Sequence, residues 1–190
     1  MIALMKSEDI IISETKNWIE NVVIACNFCP FAAREFKRGS IHYVVAPSGK
    51  LQDILQTLAL EFIRLNEHPE IETTLIILAN SHKDFTGYLD LVDVCEELLE
   101  DDGYEGIYQL ASFHPNYLFA DSSPNDPSNF TNRSLYPMLH ILREESVTKA
   151  IASIENPENI PAKNIEFANQ KGLEFMEKLR EGCREQPSEW

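Results

Sequence analysis

The feature that most constrains the fold of this chain is a continuous apolar run at residues 73–79, with the sequence TTLIILA. Strands that are buried on both faces have such runs, whereas strands with one face in water alternate between apolar and polar residues. A chain of 190 residues is long enough to bury a core around such a strand without disulfides or a metal. The run therefore predicts a central strand in a sheet that is covered on both sides.

Helical and β-rich segments alternate around this strand. Apolar spacing predicts helices over residues 11–26, with Ser13 as the N-cap, over 51–63 and over 85–99, and β-branched residues predict strands over 41–46 and 107–113. Strand, helix, strand, helix, strand is the order of two crossover units, which join parallel strands. We therefore expect an α/β fold with a small, mainly parallel sheet of three to four strands and crossover helices.

The second half of the chain has a different pattern. Residues 114–133 contain three prolines and several aromatic residues and predict a long ordered loop, in which residues 117–120 could form a short return strand. Pro137 favours the first turn of a helix to about Arg143, with a continuation over residues 146–154 and a final helix carrying Ile165, Ala168, Phe175 and Leu179. We expect a single domain over residues 1–190 with a C-terminal helical segment, and fraying at residues 1–8 and 183–190.

The charge balance limits the classes of partner. Sixteen Lys and Arg residues stand against 31 Asp and Glu residues, which gives a formal net charge of −15. Nucleic acids and anionic membranes are bound mainly by basic surfaces, so we expect neither as a partner. The first residues lack a signal-peptide pattern, and no apolar stretch approaches the length that crosses a bilayer. These features predict a cytoplasmic protein with reduced cysteines and a small-molecule or protein partner.

Arg133 ends the longest stretch of the sequence that lacks a positive charge. Residues 84–132 contain no Lys or Arg but eleven Asp and Glu residues, and a predicted helix follows Arg133 closely. Helix N-termini attract anions, and a guanidinium group fits a carboxylate or a phosphate. A candidate site for a small anionic molecule therefore consists of Arg133 with its neighbours Thr131, Asn132 and Ser134. The alternative is that Arg133 pairs with Asp121 or Asp126 and only holds the loop in place.

Two histidines are candidate acid–base residues. His114 follows the third predicted strand directly, at the sheet edge where α/β proteins bind their ligands, and an imidazole exchanges protons near neutral pH. His140 and Glu144 are four residues apart on the predicted helix, so the carboxylate could orient the imidazole. Each has a structural alternative, because His114 could fix the loop by a hydrogen bond to the backbone and Glu144 could pair with Arg143.

Cys26 and Cys29 form a C-x-x-C motif followed by Pro30. Thioredoxin-like redox motifs lie between a strand and a helix, whereas this motif follows a predicted helix. A short helix after Pro30 would place Cys29 at a helix start, where the pKa of a thiol falls. Cys29 is therefore a candidate nucleophile, with a packed core thiol as the alternative.

Cofactor motifs are weak in this sequence. It lacks the Gly-rich phosphate-binding motifs and has only seven glycines. Zn²⁺ would accept the side chains of Cys29, His114, His140 and Glu144, although their order and spacing match no known zinc motif. We expect no cofactor, with zinc at these four residues as the alternative.

Several of these segments together resemble the bacterial and plastid family known as domain of unknown function 1415. The resemblance rests on Trp18 and on the blocks CPFA at 29–32, SFHP at 112–115, NFTNRS at 129–134, YP at 136–137 and LHILRE at 139–144, and it spans roughly residues 13–180. The family has no assigned reaction, so the resemblance implies which residues matter and leaves their roles open. Cys26 stands where the family usually has an apolar residue, and Leu135 stands where it tends to have proline. The first departure weakens a redox C-x-x-C and leaves Cys29 as the more interesting thiol.

These residues together predict an enzyme, a hydrolase or a group transferase, with its site at the carboxyl end of the sheet. Arg133 would bind an anionic metabolite, His114 would act as acid or base with support from His140 and Glu144, and Cys29 would be the nucleophile. The alternative is a noncatalytic interaction protein. In that case the loop at 114–133 and the acidic helix at 85–101 dock a protein partner.

Overall fold

The computed structural model describes residues 6–185, in which helices and strands alternate over the first two thirds of the chain. The elements in chain order are α1 (Glu8–Trp18), α2 (Ala32–Arg38), β1 (Ile41–Val45), α3 (Leu51–Glu67), β2 (Thr73–Ile77), α4 (Phe85–Asp101), β3 (Tyr108–Phe113), β4 (Met138–Arg143), α5 (Glu144–Ala152), α6 (Ile160–Lys171) and α7 (Leu173–Glu181). α1 continues directly as a π-helical segment, Ile19–Ile24, and short 3₁₀ turns lie at Pro127–Thr131 and Pro157–Asn159.

The strand predicted from the apolar run lies inside the sheet. All five residues of β2 are buried, and the strand pairs with β1 on one side and with β4 on the other. The sheet order is β1-β2-β4-β3. The prediction of an α/β fold is therefore confirmed, and the predicted strands and crossover helices are all present.

The prediction of a mainly parallel sheet is wrong. β1 and β2 are parallel, but β4 is antiparallel to both of its neighbours, β2 and β3. β2 and β3 run in the same direction, as two crossover units require, and β4 fills the space between them. The fourth strand therefore comes from residues 138–143, and residues 117–120 do not form a strand.

The helix predicted from Pro137 to Arg143 is also wrong, because Met138–Arg143 form β4. Leu139 and Ile141 face α3 and α4, whereas Met138 and Leu142 face the opposite side of the sheet. A strand buried on both faces has a continuous apolar sequence, which periodicity alone does not distinguish from a buried helix. The continuation predicted over 146–154 is real, because α5 begins directly after the strand.

Two hydrophobic clusters cover the two faces of the sheet. One face packs on α3 and α4, with Ile54, Leu58, Phe62, Tyr88 and Cys95 among the buried residues. The other face packs on α1, the π-helical segment, α6 and α7, with Trp18, Val22, Phe130, Ala168 and Met176 among the buried residues. The molecule is thus a three-layer arrangement with the sheet in the middle.

Some helix ends differ from the predicted ones. Ser7, and not Ser13, caps α1, because its Oγ accepts a hydrogen bond from the Ile10 amide. The predicted final helix is divided into α6 and α7 at Gly172, which has a φ of +82°. Cys183 is buried, and the predicted fraying of residues 1–5 and 186–190 lies outside the described residues. Within residues 6–185, no helix has the length and apolar character that crossing a bilayer requires.

Candidate functional site

A cavity of about 670 Å³, called the sheet-face cavity below, lies on the α1 side of the sheet, over the amino ends of β1 and β2. Its floor is formed by strand residues that share one face of the sheet, namely Ile41, Thr73, Leu75, Ala111, Phe113, His140 and Leu142. Its walls come from the π-helical segment, α2 and α5. Neither α2 nor α5 has a buried residue, which is expected for helices that border a cavity. The volume and the largely apolar lining are typical of small-molecule sites.

His140 is a polar residue in the floor of this cavity. Thr73 Oγ1 donates its proton to the Ile141 carbonyl at 2.5 Å, so it accepts a hydrogen bond from His140 Nε2 at 2.7 Å. Nδ1 is then unprotonated and has no partner within residues 6–185. No buried side-chain polar atom in this range lacks a partner, so Nδ1 is accessible from the cavity.

The charge state of His140 follows from its surroundings. Burial lowers the pKa of His140 to about 4, so the ring is neutral near pH 7. A neutral ring with a free Nδ1 is a hydrogen-bond acceptor. The structure thus places one oriented acceptor under an apolar space.

Cys29 lies in the wall of the same cavity, between the π-helical segment and α2, and is partly exposed. The short helix predicted after Pro30 is present, but Phe31 is its N-cap, so Cys29 lies just before the helix. Cys26 is buried, and burial raises the pKa of its thiol. Both cysteines are free, and no hydrogen bond joins Cys29 to His140. The motif thus divides into a core thiol, Cys26, and a cavity thiol, Cys29.

His114 has the structural environment that the sequence left as an alternative. Its side chain is fully buried between Phe85 and Tyr88, with ring centroids 5.2 and 5.0 Å away. Nε2 donates to the His82 carbonyl at 2.9 Å, and Nδ1 accepts from the Asn116 amide at 3.0 Å. Burial lowers the pKa of His114, so both nitrogens of a neutral ring are used to hold two loops. It lines neither of the cavities described for this protein.

Arg133 is held by backbone carbonyls and not by acidic side chains. Nε donates to Tyr117 and Nη2 to Pro124, each at 2.9 Å. No Asp or Glu within residues 6–185 lies within 4 Å of the guanidinium group, so the predicted pairing with Asp121 or Asp126 is not formed. Arg133 lines a second cavity of about 380 Å³ between the loop and α7, called the loop–α7 cavity below.

The other predicted anion-binding residues hold the loop together. Thr131 Oγ1 donates to the Ser128 carbonyl, Asn132 Nδ2 donates to the Ser112 carbonyl, and the fully buried Ser134 donates to the Tyr136 carbonyl. The segment after Arg133 leads into β4, so the helix N-terminus that was expected to attract an anion is absent. None of these three side chains lines the loop–α7 cavity.

The predicted partnership of His140 and Glu144 is also absent. His140 lies in β4, and Glu144 begins α5, so the two residues do not share a helix face. Arg143 donates to the carbonyls of Leu65, in the last turn of α3, and of Ile71, in the loop before β2, and it does not pair with Glu144. Within residues 6–185 no three His, Cys, Asp or Glu side chains are grouped as metal ligands, so the zinc site considered for Cys29, His114, His140 and Glu144 is not assembled.

Sequence reasoning missed two features of the site. Thr73, which fixes the His140 ring, was interpreted only as part of the apolar run. The π-helical segment, whose residues Ile19 and Val23 line the cavity, has the same apolar spacing as an ordinary helix. Trp18 was predicted as an apolar position of the first helix and through the family resemblance. It lies in the cavity wall, and its indole N–H donates to the Arg133 carbonyl at 3.2 Å. No local sequence signal distinguishes these roles.

Comparison with known proteins gives one match. Residues 10–178, most of the chain, match a family described as "Protein of unknown function (DUF1415)". No curated protein and no solved structure matches the chain. The match agrees with the resemblance seen in the sequence blocks, and its description names no reaction.

Proposed function

The chain belongs to this family of proteins of unknown function, and from the geometry of its cavity we propose that it is a hydrolase or group transferase acting on a small, largely apolar molecule. The sheet-face cavity is the proposed active site. One observation carries the proposal: a neutral histidine, with an accessible Nδ1, lies in the floor of an apolar cavity that also exposes a free cysteine.

The lining of the cavity defines the class of ligand. Trp18, Phe31 and Phe113 offer an apolar surface to an aromatic or aliphatic body. The Nδ1 atom of His140 accepts a hydrogen bond, so the ligand carries a hydroxyl or N–H group at that point. The lining is mostly apolar but also includes the carboxylates of Glu35 and Glu72, and a few placed polar groups of this kind orient the ligand in many ligand sites.

The cavity also limits the chemistry. Cys29 is the nucleophile in this proposal, because its thiol borders the ligand space. His140 positions the ligand, since a ring with a pKa of about 4 is a weak base near neutral pH. The π-helical wall supports a functional role, because π-helical turns are frequent at functional sites. The substrate proposed here does not contact Arg133, because Arg133 lines a different cavity.

The first test measures ligand binding with a fluorescent side chain that belongs to the cavity. The chain has two tryptophans, so Trp190→Phe leaves Trp18 as the single reporter. We expect apolar fragments with a hydroxyl or amine group to change Trp18 fluorescence in a saturable way and to raise the melting temperature. Ala150→Phe places a ring inside the cavity and should abolish binding. Ala152→Phe, on the exposed side of α5, should leave binding unchanged.

The second test examines the thiol. Iodoacetamide under native conditions should label Cys29 much faster than Cys26, Cys95 and Cys183, which are buried and whose pKa values are raised by burial, to about 12 for Cys95 and about 11 for Cys183. A bound fragment should slow the labelling of Cys29, and mass spectrometry identifies the modified residue. Preferential labelling of Cys26 would contradict the proposed role of Cys29.

A failure of both tests would favour the noncatalytic alternative. Leu118 and Phe119 in the loop and Leu89 on α4 are the exposed apolar residues that such an interaction module would use. Binding without a Cys29 effect would instead keep the cavity as a ligand site and remove the proposed nucleophile. The two experiments therefore separate ligand binding in the cavity from the proposed role of Cys29.

A further inference from the structure

The loop–α7 cavity has polar walls, in contrast to the sheet-face cavity. Its hydrogen-bond donors come from the loop and from α7, and they are the side chains of Asn116, Asn125, Arg133 and Arg180. Glu177 on α7 is the acidic residue in the lining. A small polar space with two guanidinium groups has the composition of an anion site.

The two arginines line the same cavity and approach the same aromatic ring. Each guanidinium carbon is 5.1 Å from the centroid of the same ring, that of Phe130. Burial and the neighbouring positive charge of Arg180 lower the pKa of Arg133. The fold thus places two like charges around one cavity, and an anion bound there would reduce their repulsion.

The protein supplies part of the compensating negative charge, because Glu177 and Asp126 both act to raise the pKa of Arg133. Arg133 has no carboxylate within 4 Å in residues 6–185, and Arg180 pairs with Glu181, which is shared with Arg184. The whole sequence has 31 acidic residues and 16 basic ones, so acidic partners are abundant. Within residues 6–185, Arg133 is thus a guanidinium group without a carboxylate at hydrogen-bond distance, in a chain that is rich in acidic residues.

Both guanidinium groups are fixed in place by hydrogen bonds. Arg133 uses Nε and Nη2 on the carbonyls of Tyr117 and Pro124. Arg180 uses Nη1 on the carbonyl of Pro115 and directs Nε and Nη2 at the Glu181 carboxylate. Nη1 of Arg133 has no partner among the described residues. Donors that are held by backbone contacts need little reorganisation to bind a ligand.

We propose that the loop–α7 cavity binds a small molecule with a doubly charged anionic group, a phosphate monoester or a dicarboxylate, between Arg133 and Arg180. A planar guanidinium group donates two parallel hydrogen bonds to either kind of group. The volume of about 380 Å³ suits a small metabolite. This site is separate from the sheet-face cavity and does not depend on the function proposed there.

Inorganic phosphate is the first probe, with malonate as the dicarboxylate probe. Calorimetric titration at pH 7.5 and constant ionic strength should show saturable binding of one anion per chain for at least one of them. Arg180→Gln should weaken this binding at least tenfold. Glu177→Gln, which removes the acidic side chain of the lining, should tighten it severalfold.

A matched control is the neighbouring exposed residue Lys178, which pairs with Glu174 and does not line the cavity. Lys178→Gln should change the affinity less than twofold, and Ala150→Phe in the sheet-face cavity should leave it unchanged. Circular dichroism and thermal unfolding show whether Arg180→Gln is folded, and Glu177→Gln tests the site without breaking a loop contact. Absence of saturable binding by both anions, or an equal loss in Lys178→Gln and Arg180→Gln, would overturn the proposal.

Discussion

At the scale of single residues, the His140 ring couples the sheet-face cavity to pH. Its pKa is about 4 in the folded protein and near 6.5 in an unfolded chain, so the unfolded state binds more protons between these values. The free energy of unfolding should therefore fall as the pH drops through this window. Between pH 7 and pH 5 the contribution of His140 amounts to about 2 kcal/mol, at 1.36 kcal/mol per pKa unit.

The control for this prediction keeps one contact of the ring and removes its titration. His140→Gln retains a donor for Thr73 and has no charged form, so its stability should fall about 2 kcal/mol less than that of the wild type over the same interval. His42, His82 and His114 also have lowered pKa values, so the variant keeps part of the pH dependence. Urea denaturation at both pH values measures the difference, and identical pH profiles for the two proteins would contradict the assignment.

The residue types in the sequence identified side chains that could belong to a site, but they predicted the roles of these side chains less well. His114 was expected at a sheet edge and is found there, directly after β3. One of its two hydrogen bonds is donated to the His82 carbonyl, 32 residues away, which no local pattern reveals. Arg180, in turn, lies 47 positions from Arg133 and becomes its neighbour only when α7 packs on the loop. A single sequence shows which side chains are capable of acid–base chemistry or ligand binding. Their roles depend on hydrogen-bond and ion-pair partners, which tertiary contacts determine.

At the scale of elements, Gly172 determines how the C-terminal helices are arranged. It has φ +82° and ψ 163° at the junction of α6 and α7, a region that is nearly exclusive to glycine. Gly172→Ala should lower the free energy of unfolding by about 1–3 kcal/mol through backbone strain alone. A Cβ at this position would meet no atom within 4 Å, so a clash does not contribute.

Gly39 provides the comparison for that measurement. It ends α2 with φ +68° and ψ 25°, the left-handed conformation that other residues adopt at a smaller cost, and a Cβ there also meets no atom within 4 Å. Gly39→Ala should therefore destabilise by about 1 kcal/mol. Chemical denaturation of both variants ranks them, and a larger effect at Gly39 would show that the α6–α7 junction adjusts easily.

Element prediction from the sequence succeeded where the pattern was amphipathic and failed where it was uniformly apolar. α3 and α4 each have one buried stripe, and their predicted positions are confirmed. β4 is buried on both faces, so its sequence lacked the alternation that identifies a strand, and Pro137 added a false helix signal. The helix N-terminus expected after Arg133 depended on this wrongly predicted helix. The error in one element therefore also made part of the predicted anion site wrong.

At the scale of the whole molecule, the carboxylate of Glu14 joins distant parts of the chain. It is fully buried in α1 and accepts hydrogen bonds from Lys6, from the Tyr136 hydroxyl and from the Glu185 amide. These hydrogen bonds keep its pKa low despite burial. Glu14→Gln should lower the free energy of unfolding by about 2–4 kcal/mol, because it removes the charge that compensates buried donors.

Two measurements check this prediction. Chemical denaturation gives the loss of stability, and amide hydrogen exchange at Glu185 should accelerate in Glu14→Gln because the amide loses its charged acceptor. Glu20→Gln, at an exposed position of the π-helical segment, serves as the control and should change stability by less than about 0.5 kcal/mol. A similar effect of the two substitutions would show that Glu14 does not hold the two ends of the described chain together.

Because β4 lies in the middle of the sheet, its late position in the chain affects how the sheet forms during synthesis. Thr73 in β2 pairs with Leu142 in β4, 69 residues later, and within residues 6–185 β3 pairs with β4 alone. Until β4 has been synthesised, β2 and β3 present unsatisfied backbone edges, which are prone to join with other chains. Such non-local pairing is slow to form, so nascent molecules pass through a stage in which the sheet is open along its middle. The sheet is therefore complete only after its last strand in the chain has been synthesised.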